Sequence, residues 1–337
     1  MATKDLRPAE VETGGAPLLW IVVPCYNEQE VLPETSRRLY DKMTSLVERG
    51  LASKQSRVLL VDDGSRDATW SQIVQLNEGQ LDGQSFPPHL FRGVSLAHNA
   101  GHQNALYAGL MEALGQGCDC AISLDADLQD DIDAIDEMMQ RYADGAEIVY
   151  GVRNNRDTDT PFKRGTAHAF YALMQLLGVE MVSDSADYRL MGRQALEALA
   201  QYGEVNLFLR GIVPALGFST AEVYYRRGER FAGESKYPLK KMLAFALEGI
   251  TSFSVTPIHL VTLVGILTVA VSLVMVIYAL ASRAMGYVVP GWTSLMVSVW
   301  FVGGLIMVSL GIVGEYVGRT YLESKRRPRY IIGRTVE

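Results

Sequence analysis

Two long uncharged stretches near the C-terminus constrain this chain more than any other feature. Leu260 to Ser282 contains no charged residue, and neither does Ala284 to Gly314. About 20 apolar residues suffice for a helix to cross a bilayer. A helix is also one of the few forms that satisfies its own backbone groups in lipid. Two adjacent stretches of this length predict a pair of membrane spans rather than a buried hairpin in a soluble core. Gly286, Pro290 and Gly291 mark a short turn between them. Gly303, Gly304, Gly311 and Gly314 would let the helices approach closely. Arg319, Lys325, Arg326, Arg327 and Arg329 crowd the C-terminal end, whereas the connection carries only Arg283. That asymmetry predicts both termini in the cytoplasm, with the protein multi-pass in the cytoplasmic (inner) membrane.

Ahead of the first span, Leu239, Leu243, Ala246, Ile250 and Phe253 share one helical face. A surface helix of a soluble domain has the same periodicity. The position beside a span favours an amphipathic helix lying on membrane lipid. The mean hydropathy of +0.08 therefore averages a polar N-terminal part and an apolar C-terminal part. A net charge of −7 argues against a nucleic-acid partner. Met1 to Gly15 is polar and lacks an apolar core, so no signal peptide is expected. Cys25, Cys118 and Cys120 are an odd set without a secretion signal, which predicts reduced thiols in the cytosol.

The N-terminal part alternates apolar strand runs with helical spacing. Strands are predicted at Leu18–Val23, Val58–Val61, Gly93–Leu96, Ala121–Leu124 and Glu147–Tyr150. Helices are predicted at Val31–Val47, Thr69–Leu76, His102–Leu114 and Ile132–Tyr142. This order means an α/β domain with a mainly parallel sheet. Ligands of such sheets gather beyond the carboxyl ends of the strands. Asn27-Glu28, Asp62-Asp63, Asn99, Asp125-Ala126-Asp127 and Arg153 all fall there. Carboxylates at i and i+2 where a strand surfaces can share a hard cation and leave positions open for phosphate oxygens. No Gly-Lys dipeptide occurs, so a Walker A loop is absent, and no G-x-G-x-x-G opens a helix after the first strand. Arg153, Arg156, Lys163 and Arg164 form a basic segment that fits either a phosphate-bearing acceptor or a solvated face.

Four motifs follow one another along the chain. They are Pro24-Cys25-Tyr26-Asn27-Glu28, Val61-Asp62-Asp63-Gly64-Ser65, Asp125-Ala126-Asp127-Leu128-Gln129-Asp130 and Arg230-Phe231-Ala232-Gly233-Glu234-Ser235-Lys236. In order and spacing this set resembles the family 2 glycosyltransferases of the GT-A, Rossmann-like fold. The last motif and the two spans are similar to the polyprenyl-phosphate glycosyltransferases. These include dolichol-phosphate mannose synthases and, more closely, bactoprenol glucosyltransferases. The resemblance runs from Trp20 to Arg327, with one departure at His98, where many relatives carry Arg.

The resemblance implies a polar segment at 1–17, a GT-A catalytic domain at 18–237, a juxtamembrane helix at 238–255, two spans at 256–318 and a basic tail at 319–337. It implies inverting transfer of a hexose, glucose first, from a UDP-sugar to undecaprenyl or another polyprenyl phosphate. Alternatives are another sugar (a 4-amino-arabinose derivative, mannose, N-acetylglucosamine or galactose) or a non-catalytic nucleotide-binding membrane protein. Pro24, Tyr26, Glu28, Asp62, Asp63, Asp125, Ala126, Arg230 and Lys236 would then bind the nucleotide sugar. Asp125 and Asp127, with Gln129, would hold Mg²⁺ or Mn²⁺. Arg153, Arg156, Lys163 and Arg189 would meet the acceptor phosphate, and Asp127, Arg153 and Asp187 are the catalytic candidates. Relatives with hydroxyl acceptors need a carboxylate base, and Asp187 is the candidate here. A phosphate acceptor, with a second pKa of about 6, needs aiming rather than deprotonation. Relatives also imply a homo-oligomer, a tetramer.

Overall fold

The computed structural model describes residues 15–154, 185–205, 207–226, 228, 256–285 and 291–337. Arg156, Lys163, Arg164, Arg230, Lys236, the juxtamembrane helix and the Gly286–Pro290 turn lie outside the described residues.

Strand β1 (Leu19–Cys25) is buried along its whole length. Such a run is apolar throughout because the sheet is covered on both faces. Period-2 geometry divides its side chains between two cores. Leu19, Ile21, Val23 and Cys25 pack with Leu32, Leu39, Met43 and Leu46 of helix α1 (Leu32–Glu48). Trp20 and Val22 face the opposite way, toward Leu106 and Leu110 of helix α3 (His102–Gly115). Strand β2 (Arg57–Asp62) repeats the division, with Val58 and Leu60 on the first side and Leu59 and Val61 on the second.

Helix α2 (Thr69–Asn77) and a small hairpin, β3 (Gln80–Leu81) and β4 (Gln84–Ser85), lead to β5 (Phe91–Leu96). After α3 come β6 (Cys120–Ser123), α4 (Ala134–Ala143), β7 (Ile148–Arg153), β8 (Ser185–Gly192), α5 (Arg193–Ala200), α6 (Leu209–Ala215) and β9 (Thr220–Tyr225). Two long helices follow, α7 (Thr256–Ala284) and α8 (Trp292–Ser324), then β10 (Ile332–Val336). The eight-stranded sheet has the order β10-β5-β2-β1-β6-β8-β7-β9. The expected parallel arrangement holds for β5-β2-β1-β6, whereas β8 and β10 run antiparallel to their neighbours. Cys25 pairs with Asp62 and Val22 with Ser123, so the carboxyl ends of β1, β2 and β6 reach one edge together. Helix α3 lies close on the sheet behind them. A Cβ at Gly109 would meet Val22 Cγ1 at 2.4 Å and Val61 Cγ2 at 2.7 Å.

Helices α7 and α8 each contain a segment long and apolar enough to cross a membrane, Thr256–Met275 and Phe301–Ser324. Ile266, Val274, Ile277, Phe301, Met307 and Leu310 stand exposed along them. A surface of that kind fits lipid better than water. The tail beyond them returns to the sheet. β10 pairs antiparallel with β5, and Ala97 N–H donates to the Ile331 carbonyl at 2.8 Å. Arg329 donates to the carbonyls of Tyr202 and Glu204, and its guanidinium lies 4.5 Å over the Tyr107 ring.

Candidate active site

The turn after β1 is tied to the turn after β2. Asn27 has a positive φ of 56°, and its Oδ1 accepts from Arg66 N–H at 2.9 Å. Asn27 N–H donates to Ser65 Oγ at 2.9 Å, and Glu28 N–H donates to Thr69 Oγ1 at 2.9 Å. Asp62 is committed to this framework, accepting from Ser65 N–H at 3.0 Å and from the Ser95 hydroxyl at 2.8 Å. Its neighbour Asp63 turns the other way and accepts from Ala100 N–H at 2.6 Å and Gly101 N–H at 3.0 Å. Gly64, at φ 68°, permits that divergence, since a Cβ there would sit 2.8 Å from Asn99 N.

The loop after β6 carries Asp125-Ala126-Asp127. Buried Thr35 of α1 donates from Oγ1 to the Ala126 carbonyl at 2.9 Å and fixes the loop from below. Asp127 Oδ1 accepts from Gln129 N–H at 3.1 Å across Leu128, which adopts a left-handed φ of 57°.

These loops surround a cleft of ≈390 Å³ lined by Pro24, Tyr26, Glu28, Asp63, Asn99, His102, Asp125, Ala126, Asp127, Asp187 and Arg210 among others. The structure thus brings eight of the expected site residues together: Pro24, Tyr26, Glu28, Asp63, Asp125, Ala126, Asp127 and Asp187. Asp62, Gln129, Arg153 and Arg189 do not line it. Gln129 and Asp130 border a neighbouring cleft of ≈520 Å³. That cleft is larger, but its Lys42 is spent on Asp133 at 2.6 Å and its Arg38 on Glu34 at 2.7 Å. Arg153 lies behind the D-x-D loop, donating to Tyr225 Oη at 3.1 Å and Asp130 Oδ1 at 3.3 Å, while the Tyr225 hydroxyl donates to Asp130 at 2.5 Å. Burial opposes the Arg153 charge, but Tyr225 and Asp130 outweigh it and raise its pKa.

Under the cleft lies a buried ion-pair group. Arg189, 3% exposed, donates to Asp187 Oδ1 at 2.7 Å, and Asp187 is 6% exposed. Arg210 meets the same carboxylate from the cleft side, with Nε 3.3 Å from Oδ1 and Nη2 3.2 Å from Oδ2. His102 Nε2 stands 3.5 Å from Asp187 Oδ2 and 3.6 Å from Asp125 Oδ1. Burial works against the Asp187 charge, yet Arg210, His102 and Arg189 hold its carboxyl well below the ordinary range. Burial also works against His102, and Asp187 and Asp125 more than offset it, so the imidazole pKa rises. Asp125 is pushed up to about 6, first by burial and then by Asp130, Asp187 and Asp127, with His102 opposing.

Glu28, Asp63, Asp125, Asp127 and Asp187 face only Arg210 and His102 among the described lining residues. An anion enters such a cleft most readily with a divalent cation. The donor set suits Mg²⁺ or Mn²⁺, which commonly take one or two carboxylates and complete their shell from water and substrate phosphate. No cluster of three or more His, Cys, Asp or Glu that could hold a metal occurs among the described residues, and Asp125 and Asp127 are the lining residues that would hold such an ion.

Sequence reasoning named His102 only as a helix start and did not name Arg210 as a site residue. His102 follows a strand end, which is a usable signal. Arg210 has no sequence motif around it and reaches the cleft through the packing of α6 alone.

Residues 20–200 match the family described as Glycosyl transferase family 2, a span holding every named cleft residue except Arg210. The uncharacterized glycosyltransferase YkoT of Bacillus subtilis (strain 168) is 51% identical over 94% of this chain and 91% of its own length. The prophage bactoprenol glucosyl transferase homolog of Escherichia coli (strain K12) is 37% identical over 93% of this chain and 98% of its own. Glucosyl-3-phosphoglycerate synthase of Mycobacterium tuberculosis is a distant structural likeness, 17% identical with a TM-score of 0.42 over 70% of this chain and 79% of that one. With its cleft motifs inside the matched span and relatives aligned along nearly its whole length, the chain belongs to glycosyl transferase family 2.

Proposed function

We propose that this chain transfers glucose from UDP-glucose to undecaprenyl phosphate or a similar polyprenyl phosphate, with inversion, at the cytoplasmic face of a membrane. The observation that carries the reading is the acidic cleft at the joined ends of β1, β2 and β6, in a chain that ends in two apolar helices. The acceptor and the choice of glucose come from relatives named bactoprenol glucosyl transferase, aligned over 93% of the chain.

In this reading Glu28 and Asp63 accept hydrogen bonds from uracil N–H or ribose hydroxyls, and Tyr26 flanks the nucleoside. Asp62 acts at one remove, by holding the turn that aims Asp63. Asp125 and Asp127 would hold Mg²⁺ or Mn²⁺, whose charge would offset the negative charge developing on the UDP leaving group. The acceptor oxygen forms a bond to the anomeric carbon on the face opposite UDP, and the bond from that carbon to the diphosphate oxygen breaks. A dianionic phosphate needs no base for this step. A carboxylate held far below neutral pH is in any case a weak one, so Asp187 serves as an anchor for arginines. In this reading Arg156 and Lys163 supply positive charge for the acceptor, Arg153 braces the D-x-D loop from behind through Asp130 and Tyr225, and Arg189 acts through Asp187.

The pairing of β10 with β5 supports two crossings with both termini cytoplasmic, because a tail on the far side of a bilayer could not reach the sheet. The basic residues after α8 agree in direction. The test is a panel of nucleotide sugars offered with undecaprenyl phosphate and Mg²⁺ or Mn²⁺. UDP-glucose should give the fastest lipid-linked product. A faster product from another sugar nucleotide refutes the sugar assignment, and turnover unaffected by chelation refutes the metal.

A further inference from the structure

Arg210 is the one permanent cation among the described residues lining the cleft. Its placement is specified from three sides. Leu209 N–H donates to Gln103 Oε1 at 2.9 Å, the Leu209 carbonyl accepts from Arg189 at 3.3 Å, and the Arg210 guanidinium meets both Asp187 oxygens at 3.2–3.3 Å. Helix α6 therefore begins at a fixed point, with one arginine below Asp187 and one above it. The two differ in exposure. The Arg189 side chain is 3% exposed and that of Arg210 is 32% exposed. Asp187 is closed from below by Arg189 at 2.7 Å, while Arg210 pairs with it from the cleft side and keeps part of its guanidinium exposed. Once a divalent cation offsets Asp125 and Asp127, a permanent positive charge on the cleft wall faces whatever enters. A guanidinium whose Nε and Nη2 are held by a carboxylate loses little freedom when its outward Nη hydrogens donate to a phosphate oxygen.

We propose that Arg210 binds a phosphoryl oxyanion of a substrate in this cleft, with Asp187 as the residue that positions it. The proposal rests on the reading that the cleft takes a sugar nucleotide and a lipid phosphate. Both carry phosphoryl oxygens, and the experiment distinguishes them.

The full-length protein in detergent is compared as wild type, Arg210→Gln and Arg210→Lys. Calorimetry measures UDP binding with Mn²⁺, and steady-state assays give KM for undecaprenyl phosphate. Loss of a charged hydrogen-bonding group should weaken one of these constants about tenfold or more. Weaker UDP binding assigns Arg210 to the donor diphosphate, and a raised acceptor KM with unchanged UDP binding assigns it to the lipid phosphate. Arg210→Lys keeps the charge beside Asp187 without the fork and should weaken the same constant less. Asp187→Asn should move that same constant, which a purely structural role would not select. The proposal is overturned if UDP affinity and acceptor KM both stay within about twofold of wild type in a folded variant. Should Arg210→Gln fail to fold, unchanged constants in Arg210→Lys overturn it equally. Wild-type protein that binds no UDP at all refutes the underlying reading instead.

Discussion

Asp187→Asn separates an anchoring carboxylate from a catalytic base. The substitution keeps the size of the side chain and removes the negative charge between Arg189 and Arg210. Arg189 is then an almost fully buried cation without its carboxylate, and breaking a buried pair from one side costs about 3–5 kcal/mol. For a domain of this size that lowers Tm by roughly 10 °C. The Asp187 pKa is depressed in the folded protein, so its stabilisation is present above the unfolded carboxylate value. It is lost only as pH falls through the still lower folded value. The Tm difference between wild type and variant should therefore persist from pH 5 to pH 8 and be larger at the acid end, where protonated His102, whose pKa Asp187 helps to raise, loses a partner as well. Turnover should fall while the acidic limb of the pH–rate profile survives, because that limb reports the acceptor phosphate with its second pKa of about 6. Thermal melts at several pH values and pH–rate profiles of both proteins decide the matter. A variant as stable as wild type whose acidic limb has vanished would make Asp187 the base and refute the reasoning.

Four further outcomes are expected. Asp127→Asn should lower turnover by about 10² or more with an unchanged melting curve, and normal turnover of the variant in chelating buffer contradicts a metal role. Asp125, pushed up to about 6, is disfavoured as an anion in the metal-free protein. Stability should then fall slightly as pH rises from its unfolded value toward 6, and Mn²⁺ should raise Tm more at pH 7 than at pH 5; equal shifts at both pH values contradict this. Gly109→Ala forces α3 away from Val22 and Val61 and should cost about 1–3 kcal/mol in denaturant melts, whereas a neutral result means the helix has room to move. A reporter fused after Glu337 should score as cytoplasmic, and a label placed within 286–291 should react from outside; the reverse pattern overturns the orientation.

The parallel half of the fold was legible because its strands are buried on both faces. Runs such as Ile21-Val22-Val23 and Val58-Leu59-Leu60-Val61 announce themselves by composition. β8 escaped because a central strand there holds Asp187 and Arg189, which are tolerated inside only as a pair and leave no apolar run to read. β10 escaped for another reason. Ile332–Val336 is short and mostly exposed, and its partner β5 lies more than two hundred residues earlier, beyond the reach of any local pattern. The cleft was legible where its lining residues sit at strand ends, as with Asp63, Asp125 and Asp127. What local pattern could not show was orientation. Asp62 and Asp63 are adjacent in sequence yet diverge, one into the turn and one into the cleft, because Gly64 lets the chain double back against Asn99. Arg210 was invisible for the same physical reason as β10, since only tertiary packing brings it to Asp187.

The most direct test follows label from donor to lipid. Purified full-length protein is incubated with UDP-glucose labelled in the sugar, undecaprenyl phosphate and Mg²⁺ or Mn²⁺, and the organic phase is analysed. The account predicts labelled glucosyl phospholipid of inverted anomeric configuration, formed one-for-one with UDP and only when both lipid phosphate and metal are present. UDP release without a lipid-linked sugar, or a product that forms equally well without the lipid phosphate, would contradict it.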